Sequence, residues 1–143
     1  MLDLLGKHII NNKKESKQLA QHIAINLKPN EILVFSGDLG AGKTFFCQNI
    51  IKQLCGQQTN VTSPTFNLLQ IYDYQPTCSI YHYDLYRLKY LDEIYELGIE
   101  EAFTNNICLI EWPEIIKTIL PDKTIYIDIK TINLSKREVL ISV

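Results

Sequence analysis

Between the short apolar run Ile32-Leu33-Val34-Phe35 and a stretch with helical periodicity from Lys43 to Leu54, the chain carries Gly37-Asp38-Leu39-Gly40-Ala41-Gly42-Lys43-Thr44. This satisfies the pattern G-x-x-x-x-G-K-[ST], and the setting is the one its mechanism requires. Glycines let the backbone curl so that successive N–H groups point inward, and a helix beginning at the end of the curl adds its positive dipole end. The apolar run suits a strand buried on both faces. Strand, curl and helix in this order form a unit for binding phosphates.

Lys43 is expected to reach the β- and γ-phosphate oxygens of a nucleotide, and Thr44 to offer its hydroxyl to a bridging Mg²⁺. The stretch Asp38, Leu39, Gly40, Ala41 and Gly42, with Lys43, Thr44 and Phe45 at the helix start, is the expected nucleotide contact. Phosphate transfer also needs carboxylates near the metal and a means of placing the attacking water. Glu111 closes the run Ile107-Cys108-Leu109-Ile110, so it projects at the carboxyl edge of a parallel sheet, where open α/β folds bind ligands. That position suits a metal ligand. Asp84 closes Tyr81-His82-Tyr83 and reads equally as a second catalytic acid or as a turn or cap residue. Thr62-Ser63-Pro64-Thr65-Phe66 reads as a loop able to sense the γ-phosphate, or no less readily as a plain lead into a strand. His82, a lone histidine in an aromatic run, reads as a packing residue without chemistry. Tyr72, Tyr74, Tyr81, Tyr83 and Tyr86 read as sheet packing.

Other segments complete the outline. Leu19, Ala20, Ile23, Ala24 and Leu27 recur at helical spacing, with Glu15 and Ser16 near the start and Pro29-Asn30 beyond the end. Phe66–Tyr74 and Ile80–Tyr83, separated by Gln75-Pro76-Thr77, predict an antiparallel hairpin. Leu91, Ile94, Tyr95 and Leu97 predict a short helix ending at Gly98. Alternation at Ile125, Ile127 and Ile129 and at Val139, Ile141 and Val143 predicts a second hairpin around Asn133–Lys136.

With 143 residues, the chain fits one domain on the usual scale of roughly 100–200 residues. Its 16 acidic and 14 basic residues, net charge -2, argue against the broad positive surface of a strong nucleic-acid binder. Cys47, Cys55, Cys78 and Cys108 form no C-x-x-C pair and read as reduced, mostly buried thiols rather than a metal site. No apolar run approaches the ~18 residues of a membrane span, and the N-terminus lacks the charged lead of a signal peptide. The expectation is a cytoplasmic protein.

Several short elements together resemble the TsaE (YjeE) family, small bacterial ATPases required for making threonylcarbamoyladenosine in tRNA. They are Ser16 before the first helix, GDLGAGKT at 37–44, SPTF at 63–66, YHYDLYRL at 81–88, ELGIEE at 96–101 and IEWPE at 110–114. The resemblance spans nearly the whole chain. It implies a P-loop NTPase-like, three-layer α/β fold whose mixed sheet is interrupted by an antiparallel hairpin. It also implies weak intrinsic ATP hydrolysis, with Thr44 and Glu111 as Mg²⁺ ligands and Asp84 as an acid whose loss stops turnover. Ser16 and Arg137 are similar to family residues beside the nucleotide, although Asn133–Lys136 lacks the family's usual glycine. The implied partners are TsaD and TsaB, which carry out the transfer, so that tRNA is reached only indirectly.

Other classes compete. A small P-loop kinase acting on a metabolite or nucleotide needs an acceptor pocket and an arginine-bearing lid, and beyond Arg87 in the run at 81–88 Arg137 is the lone arginine. A GTP switch lacks its N-K-x-D motif. A non-catalytic nucleotide-binding module is disfavoured by the presence of both Asp84 and Glu111.

Overall fold

A computed structural model describes residues 1–143. All seven strands join one sheet in the order β1-β7-β6-β2-β5-β4-β3. Its centre is β2 (Ile32–Ser36) between β5 (Ile107–Glu111) and β6 (Ile125–Thr131), with β4 (Cys78–Asp84) beyond β5. Neighbours within this group of four run parallel. Antiparallel strands flank it: β3 (Leu69–Gln75) on β4 at one side, and β7 (Arg137–Ser142) and then β1 (Gly6–Ile10) at the other.

Burial on both faces explains the continuous apolar character of the central strands. Leu33, Phe35, Ile107, Leu109, Ile80 and Ile127 face helices α1 (Lys13–Ile25) and α2 (Lys43–Cys55), meeting Leu19, Ile23, Phe46 and Ile50. Ile32, Val34, Cys108, Ile110, Tyr81 and Tyr83 face the other way. There they meet Ile94 of α3 (Glu93–Glu96), Ile99 and Ala102 of α4 (Ile99–Ala102), and Ile116 of a 3-10 segment (Pro113–Ile119). The result is the three-layer arrangement with a mixed sheet. The tyrosines divide accordingly, Tyr72 and Tyr74 packing on the α1/α2 side and Tyr81 and Tyr83 on the other.

Four local differences from the sequence reading have physical causes. Helix α1 begins at Lys13, because Asn12 caps it by accepting from the Glu15 N–H at 2.9 Å; Ser16 therefore lies buried within the helix. The first hairpin starts at Leu69, and Phe66 sits 80% exposed in the turn before it. The short helix expected to end at Gly98 is α3, but Gly98, with φ of 72°, also starts a further short helix, α4, that the sequence reading did not include. Strand β1 shows little alternation in its sequence; only Ile10 is fully buried, and the strand is held by backbone pairing with β7.

The second hairpin turns without glycine. The Asn133 side-chain oxygen accepts from the N–H groups of Ser135 (3.0 Å) and Lys136 (2.9 Å), an Asx turn that closes the loop and aims Arg137.

Gly37 joins β2 to the glycine-rich loop with φ of 149°, and a Cβ built there would lie 2.5 Å from the Ile129 carbonyl oxygen on β6. Gly37→Ala is expected to destabilise the fold by about 1–3 kcal/mol through backbone strain alone, with the carbonyl contact adding to it. Urea unfolding measures this; an unchanged midpoint would contradict the assigned backbone.

Candidate functional site

Parallel pairing brings the carboxyl ends of the central strands to one edge. Glu111 is in register with Phe35 of β2 on one side and with Asp84 of β4 on the other. Side chains alternate along a strand, so His82, Asp84, Leu109 and Glu111 project on the side of α2. That helix starts at the same edge, its N-cap Gly42 providing no side-chain cap, so the leading N–H groups remain free for a ligand. The cleft so formed is lined by Gly40, Gly42, Lys43, Thr44, Asp84 and Glu111. Gly40 and Gly42 have φ of 81° and 110°, with nothing within 4 Å of a built Cβ, so there the requirement is for left-handed backbone facing open space.

The two acids are held differently. Glu111 accepts from the Thr44 hydroxyl through Oε1 at 2.7 Å, and its Oε2 lies 2.7 Å from His82 Nε2. Asp84 accepts from the Tyr86 N–H at 3.1 Å and from the Thr65 hydroxyl at 3.3 Å; Thr65 in turn pairs with Ser63 at 2.7 Å. The hydroxyl-rich loop thus touches the acid at the end of β4.

Lys43 folds back on its own loop, donating to the carbonyls of Gly37 (2.5 Å) and Asp38 (2.9 Å). Its ammonium also lies 4.0 Å from the centroid of Trp112, whose ring meets Tyr86 at 4.8 Å. Leu39 is 76% exposed at the rim. On the other side of the loop, Ser16, Ala41, Phe45, Leu134 and Arg137 line a second cleft that shares Gly40 and Gly42 with the first. Arg137 reaches it from β7, its Nε donating to the Ala41 carbonyl at 3.2 Å. Each residue anticipated from sequence therefore lines one of these clefts, except Asp38, which contributes its carbonyl to Lys43.

Sequence reasoning passed over His82. Fully buried, it meets Glu111 and leaves Nδ1 without a partner. An orphaned buried nitrogen costs about 1–3 kcal/mol, so packing alone is a poor account of a histidine here. The available signal was spacing: a residue two before Asp84 on a strand shares its face. Cys47 Sγ lies within 4.8 Å of both a His82 ring nitrogen and a Glu111 oxygen. Burial pushes the Cys47 thiol well up, which favours its protonated form and makes it a core residue rather than a thiolate ligand. All four cysteines are free.

A family model described as "Threonylcarbamoyl adenosine biosynthesis protein TsaE" matches residues 10–139. The chain belongs to the TsaE family. Relatives named tRNA threonylcarbamoyladenosine biosynthesis protein TsaE include one from Rickettsia prowazekii, 57% identical over 91% of this chain and 90% of its own length. Another, from Bacillus subtilis, is 37% identical over 90% of this chain and 79% of its own. A crystal structure of Bacillus subtilis YdiB superposes with a TM-score of 0.72 and 32% identity, covering 93% of this chain and 81% of that one. The sheet and helices described above are consistent with the P-loop NTPase-like fold implied by the family resemblance. No helix is long and apolar enough to cross a membrane.

The site of this TsaE family member is electrostatically strained. Burial pushes the Asp84 carboxyl upward and Glu111 adds to that, while the Tyr86 N–H and the Thr65 hydroxyl pull it down. Burial likewise lowers Lys43, against the pull of Glu111 and Asp84. A carboxyl raised on folding contributes stability that is complete below its ordinary value of 3.8 and is lost as pH rises through the folded value. Asp84→Asn, which mimics the protonated form, is therefore expected to raise the melting temperature of the nucleotide-free protein at pH 7, by a margin that shrinks toward pH 4. Thermal melts at the two pH values check this, and a variant that melts lower at pH 7 would contradict it.

Proposed function

We propose that this protein binds Mg-ATP in the cleft and hydrolyses it, in service of forming threonylcarbamoyladenosine in tRNA, the task named in its relatives. The observation that carries the nucleotide chemistry is the 2.7 Å bond from Thr44, the hydroxyl residue of the phosphate loop, to Glu111 at the end of β5. A hydroxyl and a carboxylate oxygen are hard donors suited to Mg²⁺, which also accepts phosphate oxygens and waters. Thr44 and Glu111 would hold the ion, and when bound it offsets phosphate charge.

The chain's own groups account for the rest. Lys43 exchanges the carbonyls of Gly37 and Asp38 for phosphate oxygens, and the free N–H groups at the start of α2 bind the same anion. Ser16 and Arg137, with Phe45, line the neighbouring cleft, where the nucleoside would lie. Asp84 orients the attacking water and accepts its proton, a role that suits a carboxyl made more basic by burial. Departure of the γ-phosphate would be felt by the Ser63–Thr65 pair through Asp84 and so by the loop that carries Phe66.

TsaD- and TsaB-like proteins are the proposed recipients of this cycle, with tRNA reached through them. A net charge of -2 supports indirect contact with the nucleic acid. Both arginines have local partners, Arg137 on Ala41 and Arg87 over the Phe66 ring at 4.6 Å, which weakens a kinase reading that needs an arginine lid.

Nucleotide titration and phosphate release on three variants test the proposal. Lys43→Ala is expected to weaken ATP binding about 10-fold or more. Asp84→Ala and Glu111→Ala are expected to lower turnover about 100-fold with smaller losses of binding. Undiminished turnover in both acid variants would overturn the assignment.

A further inference from the structure

We propose that His82 is a positioning residue that sets the orientation of Glu111, and through it the affinity of the site for its divalent cation. The inference rests on the Mg-ATP reading above and extends it to a group outside the cleft lining.

Glu111 is a two-sided carboxylate. Oε1 takes the Thr44 hydroxyl and Oε2 faces His82 Nε2, both at 2.7 Å. Accepting at both oxygens fixes the plane of the carboxylate, and with Glu111 ionised Nε2 is the donor. Both residues are buried, His82 at 0% and Glu111 at 1% exposure, so the hydrogen bonds, not solvent, orient the carboxylate. His82 is also paired with Leu109 across the parallel β4–β5 ladder, so backbone register holds the imidazole one step below the acid. The same strand ends two residues later in Asp84. Strand β4 therefore supplies one acid directly and props the other.

His82 makes no other hydrogen bond: its Nδ1 has no partner, and Glu111 is the one group it bonds. A histidine retained to hold two elements together would be expected to use both nitrogens. Here the single bond leads to the proposed metal ligand. Carboxylates that bind metals depend on such outer partners for orientation and basicity, and losing the partner weakens metal binding about 10- to 100-fold. Without the donor at Oε2, Glu111 is free to turn that oxygen toward Thr44 or Lys43, and the arrangement facing the ion becomes one among several.

Two substitutions separate positioning from bulk. His82→Gln places an amide N–H near the position of Nε2, whereas His82→Leu fills similar space with no donor. Nucleotide binding is titrated by calorimetry without metal and across a Mg²⁺ series, with thermal melts as the check on folding. The expected result is that His82→Leu needs about 10-fold more Mg²⁺ for half-maximal enhancement of binding, while metal-free affinity stays within about twofold. His82→Gln is expected to restore most of the Mg²⁺ response. If His82→Leu does not fold, His82→Asn, whose amide stops short of Glu111, replaces it in the same comparison. A donor-free variant with the wild-type Mg²⁺ response, or a Gln variant as impaired as it, would overturn the positioning role. A wild-type protein whose nucleotide binding ignores Mg²⁺ would instead overturn the Mg-ATP reading, and this inference with it.

Discussion

Parallel alignment of β4, β5 and β2 is the constraint on which the site depends. Because these strands point the same way, Asp84, Glu111 and the entry to the phosphate loop arrive at one edge, in register, without any loop having to carry them there. The 2.7 Å contact between Thr44 and Glu111 then ties the start of α2 to the end of β5 across 67 residues of sequence. Strands buried on both faces make that edge rigid, and rigidity is what the proposed Mg-ATP site needs.

The same edge concentrates unfavourable electrostatics. Asp84 and Lys43 are both shifted toward their neutral forms by burial, and His82 keeps a ring nitrogen without a partner. Trp112 adopts a left-handed backbone with φ of 57°, where its ring meets both Lys43 and Tyr86. Such features oppose stability and are characteristic of sites that must bind charge. Lys43 is satisfied by its own loop carbonyls, a contact that phosphate oxygens of the proposed nucleotide can replace at little net loss.

Much of this was legible in the chain because its signals are local. The glycine pattern at 37–44, the apolar runs at 32–35 and 107–110 and the acid closing the second run are each readable within a few residues, and the structure places them as strand, loop and strand edge. Strand β1 was not legible, since an edge strand held by backbone pairing needs no apolar alternation. The hairpin boundary at Leu69 and the cap at Asn12 depend on turn and cap geometry, where competing side chains offer similar local choices. His82 escaped for a different reason. Its partner lies 29 residues away, and only the β4–β5 register shows that a histidine two residues before one acid stands beneath the other.

The central claim is that Thr44 and Glu111 act as one cation-binding unit. A double-mutant cycle on the Mg²⁺-dependent part of ATP binding, using Thr44→Ala, Glu111→Gln and the pair, tests it most directly. The account predicts strong non-additivity, with a coupling of about 1 kcal/mol or more, because either loss already dismantles the unit. Losses that add to within about 0.3 kcal/mol would show two independent residues and contradict it.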